Sequence, residues 1–391
     1  MNKWNMVKLS DIFTLQMGKT PSRDNNSYWN GSHKWISISD LGKNKKYIYN
    51  TKEFITDNAL SETGIKVTPK NTVIMSFKLS IGKTAITTEN IYTNEAIMSF
   101  IDNGRYEIDL DYIYHLFSGK DWNKGTNKAV MGITLNKATL SQIKIPLPPL
   151  DIQKQIASNL DKVSHTINIC NAILEKMDLL VKSRFVEMFG ELGTDKFGWG
   201  LEKIGNVSEI NPKKAKDNRL YSDLEVSFVP MTAVSEKGDI DASEIKTYNE
   251  VKKGFTYFAE NDILFAKITP CMENGKGCIA HNLYNGIGFG STEFHVLRPS
   301  EKINSYWLYT ITTFKQFREN AYANMTGSAG QKRVPAKFLE NYKIAVPPPE
   351  LQQKFSDFVE HTEKSKLSVK KILEKAEMLK KALIQEYFGE C

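Results

Sequence analysis

Two segments of this 391-residue chain, 199 positions apart, match without a gap, and that register limits what the chain can fold into. Phe189-Gly190-Glu191 falls on Phe388-Gly389-Glu390, and Ile173-Leu174-Glu175-Lys176 on Ile372-Leu373-Glu374-Lys375. Gln153 falls on Gln352, Pro148-Pro149 on Pro347-Pro348 and Lys144-Ile145 on Lys343-Ile344. A single offset sustained from 144 to 191 means an internal duplication. Each copy opens on prolines, which suit a helix start and not its interior. In the second copy Phe355, Phe358, Thr362, Ser365, Val369, Ile372, Ala376, Leu379 and Leu383 follow alternating three and four spacing. In the first, Ile156, Val163, Cys170, Ile173, Met177 and Leu180 occupy the equivalent seam, with a second stripe of Leu160, Ile167, Leu174 and Val181. Such spacing predicts a coiled coil. About 40 residues at ~1.5 Å each make a rod of roughly 60 Å. Matched lengths and seams predict that the two copies pair antiparallel.

The helices alternate with two larger modules, so the predicted boundaries are 1–147, 148–191, 192–345 and 346–391. The first module starts at Trp4-Asn5-Met6-Val7 and the second at Trp199-Gly200-Leu201-Glu202, each with one aromatic ahead of a short amphipathic segment. Strands are predicted at Trp35–Asp40, Val73–Phe77 and Ile97–Ile101 in the first module, and at Phe228–Met231, Asp262–Ala266 and Phe294–Leu297 in the second. Leu110–Phe117 and Tyr306–Phe317 read as helices. The two modules share a plan and differ in surface residues.

A net charge of +7 and a pI near 8.9 suit an anionic partner, nucleic acid first. The 41% hydrophobic share is ample for true cores. Four scattered cysteines give no disulfide framework, which fits a reducing compartment. Neither a signal peptide nor an apolar run of membrane-spanning length (~18 residues) is present, so a cytoplasmic location without membrane attachment is expected.

Catalytic signatures are missing. The closest string to an adenine methyltransferase motif, Asn211-Pro212-Lys213-Lys214, lacks the second proline and the aromatic. Gly18-Lys19-Thr20 and Gly82-Lys83-Thr84 resemble the end of a phosphate loop, but Phe13 and Phe77 stand where that loop needs glycine. Cys271 and Cys278, with His281 and His295 nearby, do not have zinc-knuckle spacing. What remains fits a reader: polar loops beside rigid strands.

The order of module, Pro-Pro-long helix-Phe-Gly, module, Pro-Pro-long helix-Phe-Gly resembles the specificity (S, HsdS) subunit of Type I restriction-modification systems. Ile145-Pro146-Leu147-Pro148-Pro149-Leu150-Asp151-Ile152-Gln153 is similar to that family's junction between a target recognition domain and a conserved helix, and Val346-Pro347-Pro348-Pro349-Glu350-Leu351-Gln352 repeats it. Asp262 to Pro270, continuing to Asn274-Gly275-Lys276, together with Gly290-Ser291-Thr292-Glu293-Phe294, looks like a signature of one class of these recognition domains. Gly18-Lys19-Thr20-Pro21-Ser22 is likewise family-like, whereas Lys78-Leu79-Ser80 lacks the Thr-Pro and Asn-Gly pair of the second module.

The resemblance implies an α+β protein: two globular target recognition domains separated by two long antiparallel coiled-coil helices in a pseudo-twofold repeat. It implies a non-catalytic subunit that reads a bipartite site in double-stranded DNA and docks two modification (methyltransferase) subunits, with restriction (translocase-nuclease) subunits completing the complex. No cofactor is expected in the chain itself, because S-adenosylmethionine, ATP and Mg would belong to the partner subunits. By position, the DNA-binding candidates are Lys19, Arg23, Lys78, Ser80, Lys83, Asn127 and Lys128 in the first module. In the second they are Lys267, Thr269, Asn274, Lys276, Ser328, Gln331, Lys332 and Arg333. Arg and Gln suit bidentate base contacts, and Lys suits phosphate. Leu160, Ile167 and Leu174 are the candidate partner-docking residues. The alternative is a standalone DNA-binding regulator or a coiled-coil adaptor without a methyltransferase partner.

Overall fold

The duplicated segments form helices Leu150–Phe189 and Pro349–Phe388, 40 residues each. Both end the same way. Gly190 (φ 82°) and Gly389 (φ 69°) adopt the left-handed conformation that glycine tolerates, and their N–H groups donate to Val186 O and Gln385 O, each at 2.9 Å. The computed structural model describes residues 4–42, 46–78, 80–122, 135–214, 219–328 and 330–389. It divides into two compact units, residues 1–172 with 369–391 and residues 173–368, so each unit holds the start of one long helix and the end of the other.

Within each unit those two helical portions run antiparallel. In the first, Asn159 Nδ2 donates to the Tyr387 hydroxyl at 3.0 Å, and Phe388 packs edge-on against Tyr112. In the second, the rings of Phe185 and Phe189 meet Phe355 at 5.5 and 5.4 Å. The register of the seam differs from the sequence reading. Ser365, Ile372 and Leu379 face outward, while Val359 and Lys366 are buried and Leu373 and Lys380 half-buried. Lys366 occupies an inward position because Asp178 and Glu363 hold its Nζ at 2.5 and 2.6 Å, and its aliphatic stem packs as apolar surface. On the first helix Ile173 and Leu180 are exposed, and the seam is completed by the second stripe, with Leu160, Ile167, Leu174 and Val181 all buried.

A buried glutamine in the first turn joins each helix to its globular module. Gln153 Nε2 donates to Glu107 O (3.0 Å) and Pro148 O (2.8 Å), and its Oε1 accepts from Asp109 N–H (2.9 Å). Gln352 repeats this with Lys302 O (3.1 Å), Pro347 O (2.8 Å) and Asn304 N–H (2.8 Å). Asp109 and Asn304 are themselves the N-caps of helices Leu110–Gly119 and Ser305–Thr313, so one side chain ties two helix starts together.

Each module has its own central sheet of similar strand order. In the first unit the order is Phe13–Met17, Ile97–Asp102, Val73–Ser76, Thr84–Thr87, with Tyr47–Ile48 added in parallel at the edge. In the second it is Ser208–Ile210, Phe294–Pro299, Ile263–Ala266, Gly277–Ile279. A short antiparallel pair closes each module, Met6–Lys8 with Lys144–Pro146 and Leu201–Lys203 with Lys343–Ala345. Each unit adds a different second sheet: Glu53–Ile55, Trp29–Ile36 and Tyr92–Thr93 in the first, and Ile245–Thr247, Glu225–Val229, Ile287–Gly290 and Thr256–Ala259 in the second. The helix expected over Tyr306–Phe317 is broken at Phe314, which is extended (ψ 139°). Arg318 Nε donates to Thr312 O at 2.9 Å and so satisfies one of the carbonyls that the break leaves free at the end of the first helix. No described helix is long and apolar enough to cross a membrane.

Candidate nucleic-acid interface

The end of the central hairpin has the same backbone design in both modules. Asn71 and Asn261 lead into the first strand with positive φ. Ser76 N–H donates to Lys83 O at 2.9 Å, and Ala266 N–H to Lys276 O at 3.3 Å. Gly82 (φ 88°) and Gly275 (φ 89°) precede those lysines, so Lys83 and Lys276 occupy one structural station. Likewise Phe77 N–H donates to Ala96 O (3.0 Å) and Lys267 N–H to Glu293 O (2.9 Å), so Phe77 is the counterpart of Lys267 and Ala96 the counterpart of Glu293.

In the second unit the loop after strand Ile263–Ala266 is laced to the segment 326–334. Thr269 N–H donates to Lys332 O (3.1 Å) and Val334 N–H to Lys267 O (2.9 Å), while Arg333 and Thr326 exchange backbone bonds of 2.8 and 2.9 Å. Thr269 Oγ1 donates to Gly330 O at 3.2 Å. The Arg333 guanidinium is gripped by Glu293, Nε to Oε2 at 2.9 Å and Nη2 to Oε1 at 2.8 Å. That fork holds the Glu293 carboxyl below its usual range, and burial holds Lys267 below the usual ammonium value. The structure therefore brings Lys267, Thr269, Gln331, Lys332 and Arg333 to one rim, with exposed Ser328 accepting from Gln331 N–H at 3.1 Å. Asn274 and Lys276 turn toward their own module, donating to Glu236 Oε1 (2.9 Å) and Met231 O (3.1 Å).

In the first unit the rim differs. Ser80 is exposed at the hairpin tip, where its carbonyl accepts from Ser76 Oγ, and Lys78 Nζ sits 5.5 Å from the Phe77 ring centre. Lys19 donates through Nζ to Thr63 O, and the preceding Gly18 lies so close to the Thr93 carbonyl that a Cβ would fall 2.2 Å from it. Arg23 stacks 3.8 Å above Trp29 and forks onto Glu53, which lowers the Glu53 carboxyl as Arg333 lowers Glu293. Asn127 and Lys128 lie outside the described residues. Sequence reasoning missed Glu293, Glu53 and Trp29. Glu293 stands inside the motif Gly290-Ser291-Thr292-Glu293-Phe294, but nothing local in that motif marks a carboxylate as the partner of an arginine 40 residues away.

The docking candidates need correction. Leu160, Ile167 and Leu174 are 0%, 8% and 6% exposed, so they are core and present nothing to a partner. Apolar residues left in solvent include Ile173, Leu179 and Leu180 on the first helix and Ile372, Met378 and Leu379 on the second, between 36% and 72% exposed, besides Ile169 and Leu367, which have no apolar counterpart on the other helix. These two trios stand at the same 199-residue offset. Cys278 is paired into the central sheet opposite Leu264, burial pushes its thiol up, and His295 Nε2 is engaged by Val334 O at 2.7 Å, so neither is disposed as a metal ligand.

Comparison with known proteins supplies the remaining findings. The family model for the Type I restriction modification DNA specificity domain matches residues 1–178 and again 197–378. The specificity subunit of the Escherichia coli Type I restriction enzyme EcoAI is 45% identical over 159 residues, covering 40% of this chain and 26% of that protein. The EcoEI specificity subunit is 44% identical over 154 residues, and the chain thus spans about a quarter of the length of these relatives. The MjaIX specificity subunit of Methanocaldococcus jannaschii is 25% identical over 385 residues, 91% of this chain and 86% of its own length. Among solved structures, a chain from a study of Type I R-M complex assembly superposes with a TM-score of 0.55 at 16% identity, covering 99% of this chain and 98% of its own. The Type I S subunit from M. genitalium gives 0.54 at 15%, with 99% and 97% covered. At that identity the likeness is one of fold.

Proposed function

We propose that this chain, which belongs to the Type I restriction modification DNA specificity domain family, is the non-catalytic subunit that reads a split sequence in double-stranded DNA, one half with each module. The observation that carries this reading is a shared backbone frame bearing different chemistry. Lys83 and Lys276 occupy one station; Lys83 suits a phosphate contact that fixes register, whereas Lys276 is turned onto Met231 O. Around them the side chains diverge: Arg23 on a tryptophan platform in one unit, and Lys267, Gln331 and Arg333 in the other. Glutamate-held arginines present a planar, pre-oriented donor fork, the group suited to guanine edges in the major groove. Half-sites would lie about one helical turn apart, roughly 34 Å, with the paired helices setting the unread gap.

The helices also dock partners in this reading. Because the exposed trio Ile173, Leu179, Leu180 recurs as Ile372, Met378, Leu379, the surface offers two equivalent apolar sites, which suits two copies of one modification subunit. Restriction subunits would join that core, and S-adenosylmethionine, ATP and Mg would be bound by the partners, in the cytoplasm. The test is co-expression with the cognate modification subunit and mapping of methylated adenines across the genome. A two-part motif with a fixed gap, methylated on both strands, is expected. An unbroken motif, or DNA binding with no partner-dependent methylation, would favour a standalone regulator and overturn the reading.

A further inference from the structure

Within the unit of residues 173–368, a cavity of about 620 Å³ opens between the long-helix portions, helices Ser305–Thr313 and Lys315–Ala323, and the turn at 273–275. Its lining balances cations and carboxylates in number, but two of the cations, Arg318 and Lys182, lack an ion pair among the described residues. Arg318 is only 8% exposed, and its guanidinium donates to two carbonyls, Thr312 O at 2.9 Å and Met272 O at 2.6 Å. Nη2 is buried with no hydrogen-bond partner, and among the described residues no carboxylate pairs with it. Lys182 is half-buried beside it and also lacks an ion pair among the described residues. The two nearby carboxylates that could serve, Asp178 and Glu363, are both committed to Lys366. Glu319 is engaged by Lys315 at 3.2 Å and Glu236 by Asn274 at 2.9 Å.

A buried guanidinium without a counter-charge is costly, and an orphaned donor beside a cavity calls for an explanation. Burial pushes Arg318 down to about 10; burial holds Lys182 below its ordinary value, against the attraction of Asp178 and with a smaller repulsion from Arg318. An anion in the cavity would relieve both. We propose that this cavity binds a small phosphate-bearing molecule, contacted by Lys182 and held by the field of the buried Arg318. The volume suits a nucleotide-sized ligand. Exposed Glu236, Glu273 and Glu319 on the lining disfavour the backbone of a DNA duplex, a polyanion, and leave room for a compact one.

The test uses the full chain and titrates inorganic phosphate and adenosine monophosphate calorimetrically, against chloride at matched ionic strength. Saturable binding is expected, weakened at least about tenfold in Lys182→Met through loss of a charge-assisted bond and restored in Lys182→Arg. Lys182 is half-buried and without an ion pair, so Lys182→Met should keep its fold; unchanged circular dichroism and unfolding midpoint check this. No saturable binding, equal affinity in Lys182→Met, or displacement of the phosphate by a short duplex of unrelated sequence would overturn the proposal. No partner subunit or target site enters the measurement, so its failure leaves the DNA-reading proposal standing and the reverse also holds.

Discussion

Replacing Gln153 by Met keeps volume and flexibility while removing every polar function of the clamp. The side chain is 0% exposed and makes three bonds, to Pro148 O, Glu107 O and Asp109 N–H, the first of them fully buried. Leaving the buried acceptor unpaired costs about 1–3 kcal/mol, and each of the two partly buried bonds contributes about 0.5–1.5 kcal/mol. The total is roughly 4 kcal/mol. For a unit in the 150–250-residue range, each kcal/mol shifts the melting point by ~2–4 °C, so a fall of about 8–16 °C is expected. The loss should be local. Hydrogen exchange should show deprotection in residues 1–172 and 369–389, with 173–368 unchanged. Gln352→Met should do the mirror image, and Lys154→Met, on the exposed neighbour, should do nothing. If Gln153→Met left the melting point within a degree or two of wild type, or loosened both units equally, the clamp would not be the joint described here.

Arg333→Ala in the assembled complex should relax preference at one base position of the second half-site at a cost of about 1–3 kcal/mol, whereas Lys83→Ala should weaken binding evenly and reduce the salt slope by ~1; anisotropy on site variants separates the two, and an even loss in Arg333→Ala would deny it a reading role. Matched seven-residue insertions in both long helices should lengthen the rod by about 10 Å and widen the methylated motif's gap by roughly three base-pair steps; altered half-site bases would contradict the spacer role. Leu180→Glu or Leu379→Glu should each halve the modification subunit recovered on co-purification, and full recovery in both would rule out this face. Burial holds His115, His281 and His295 below their ordinary value. The folded chain therefore binds fewer protons than the unfolded one just below pH ~6.5. Stability should be complete above that pH and decline as pH falls toward 5 in urea titrations, with a shallower slope in His115→Asn; a flat profile would refute this.

The two long helices and their Phe-Gly ends were legible because a fixed repeat offset is a strong signal, and the central strands because four-residue apolar runs bounded by Asn, Pro and Gly leave few alternatives. The inward face of the second helix was misread for a physical reason. Lys366 sits on the seam with its charge neutralised by Asp178 and Glu363, and a hydropathy pattern scores lysine as outward, which displaced the register onto Ser365 and Ile372. The docking error followed from the same cause: Leu160 and Leu174 looked surplus only because their share of the seam had been given to Ile173 and Leu180. The second sheets, which include parallel pairs such as Glu225–Val229 with Ile287–Gly290, rest on long-range pairing that no local pattern encodes. Nor does sequence alone show which carboxylate an arginine will fork onto.

Comparing the copies station by station separates frame from reader. Gln153 and Gln352, Gly190 and Gly389, Asn71 and Asn261, and Gly82 and Gly275 are the same residue type in the same backbone role, so they serve the frame. At the hairpin's mouth the rule inverts. Where the first unit has Phe77 and Ala96, the second has Lys267 and Glu293, a matched change that introduces a cation and the carboxylate to govern it. With alanine at the station of Glu293, an arginine on the first rim cannot be oriented from the central sheet. Arg23 is instead held by Glu53 and Trp29, from the sheet that differs between the units. A shared strand frame thus carries two surfaces whose arginines approach from different elements, and in the proposed reading that difference is what would let one duplicated chain address two unlike half-sites.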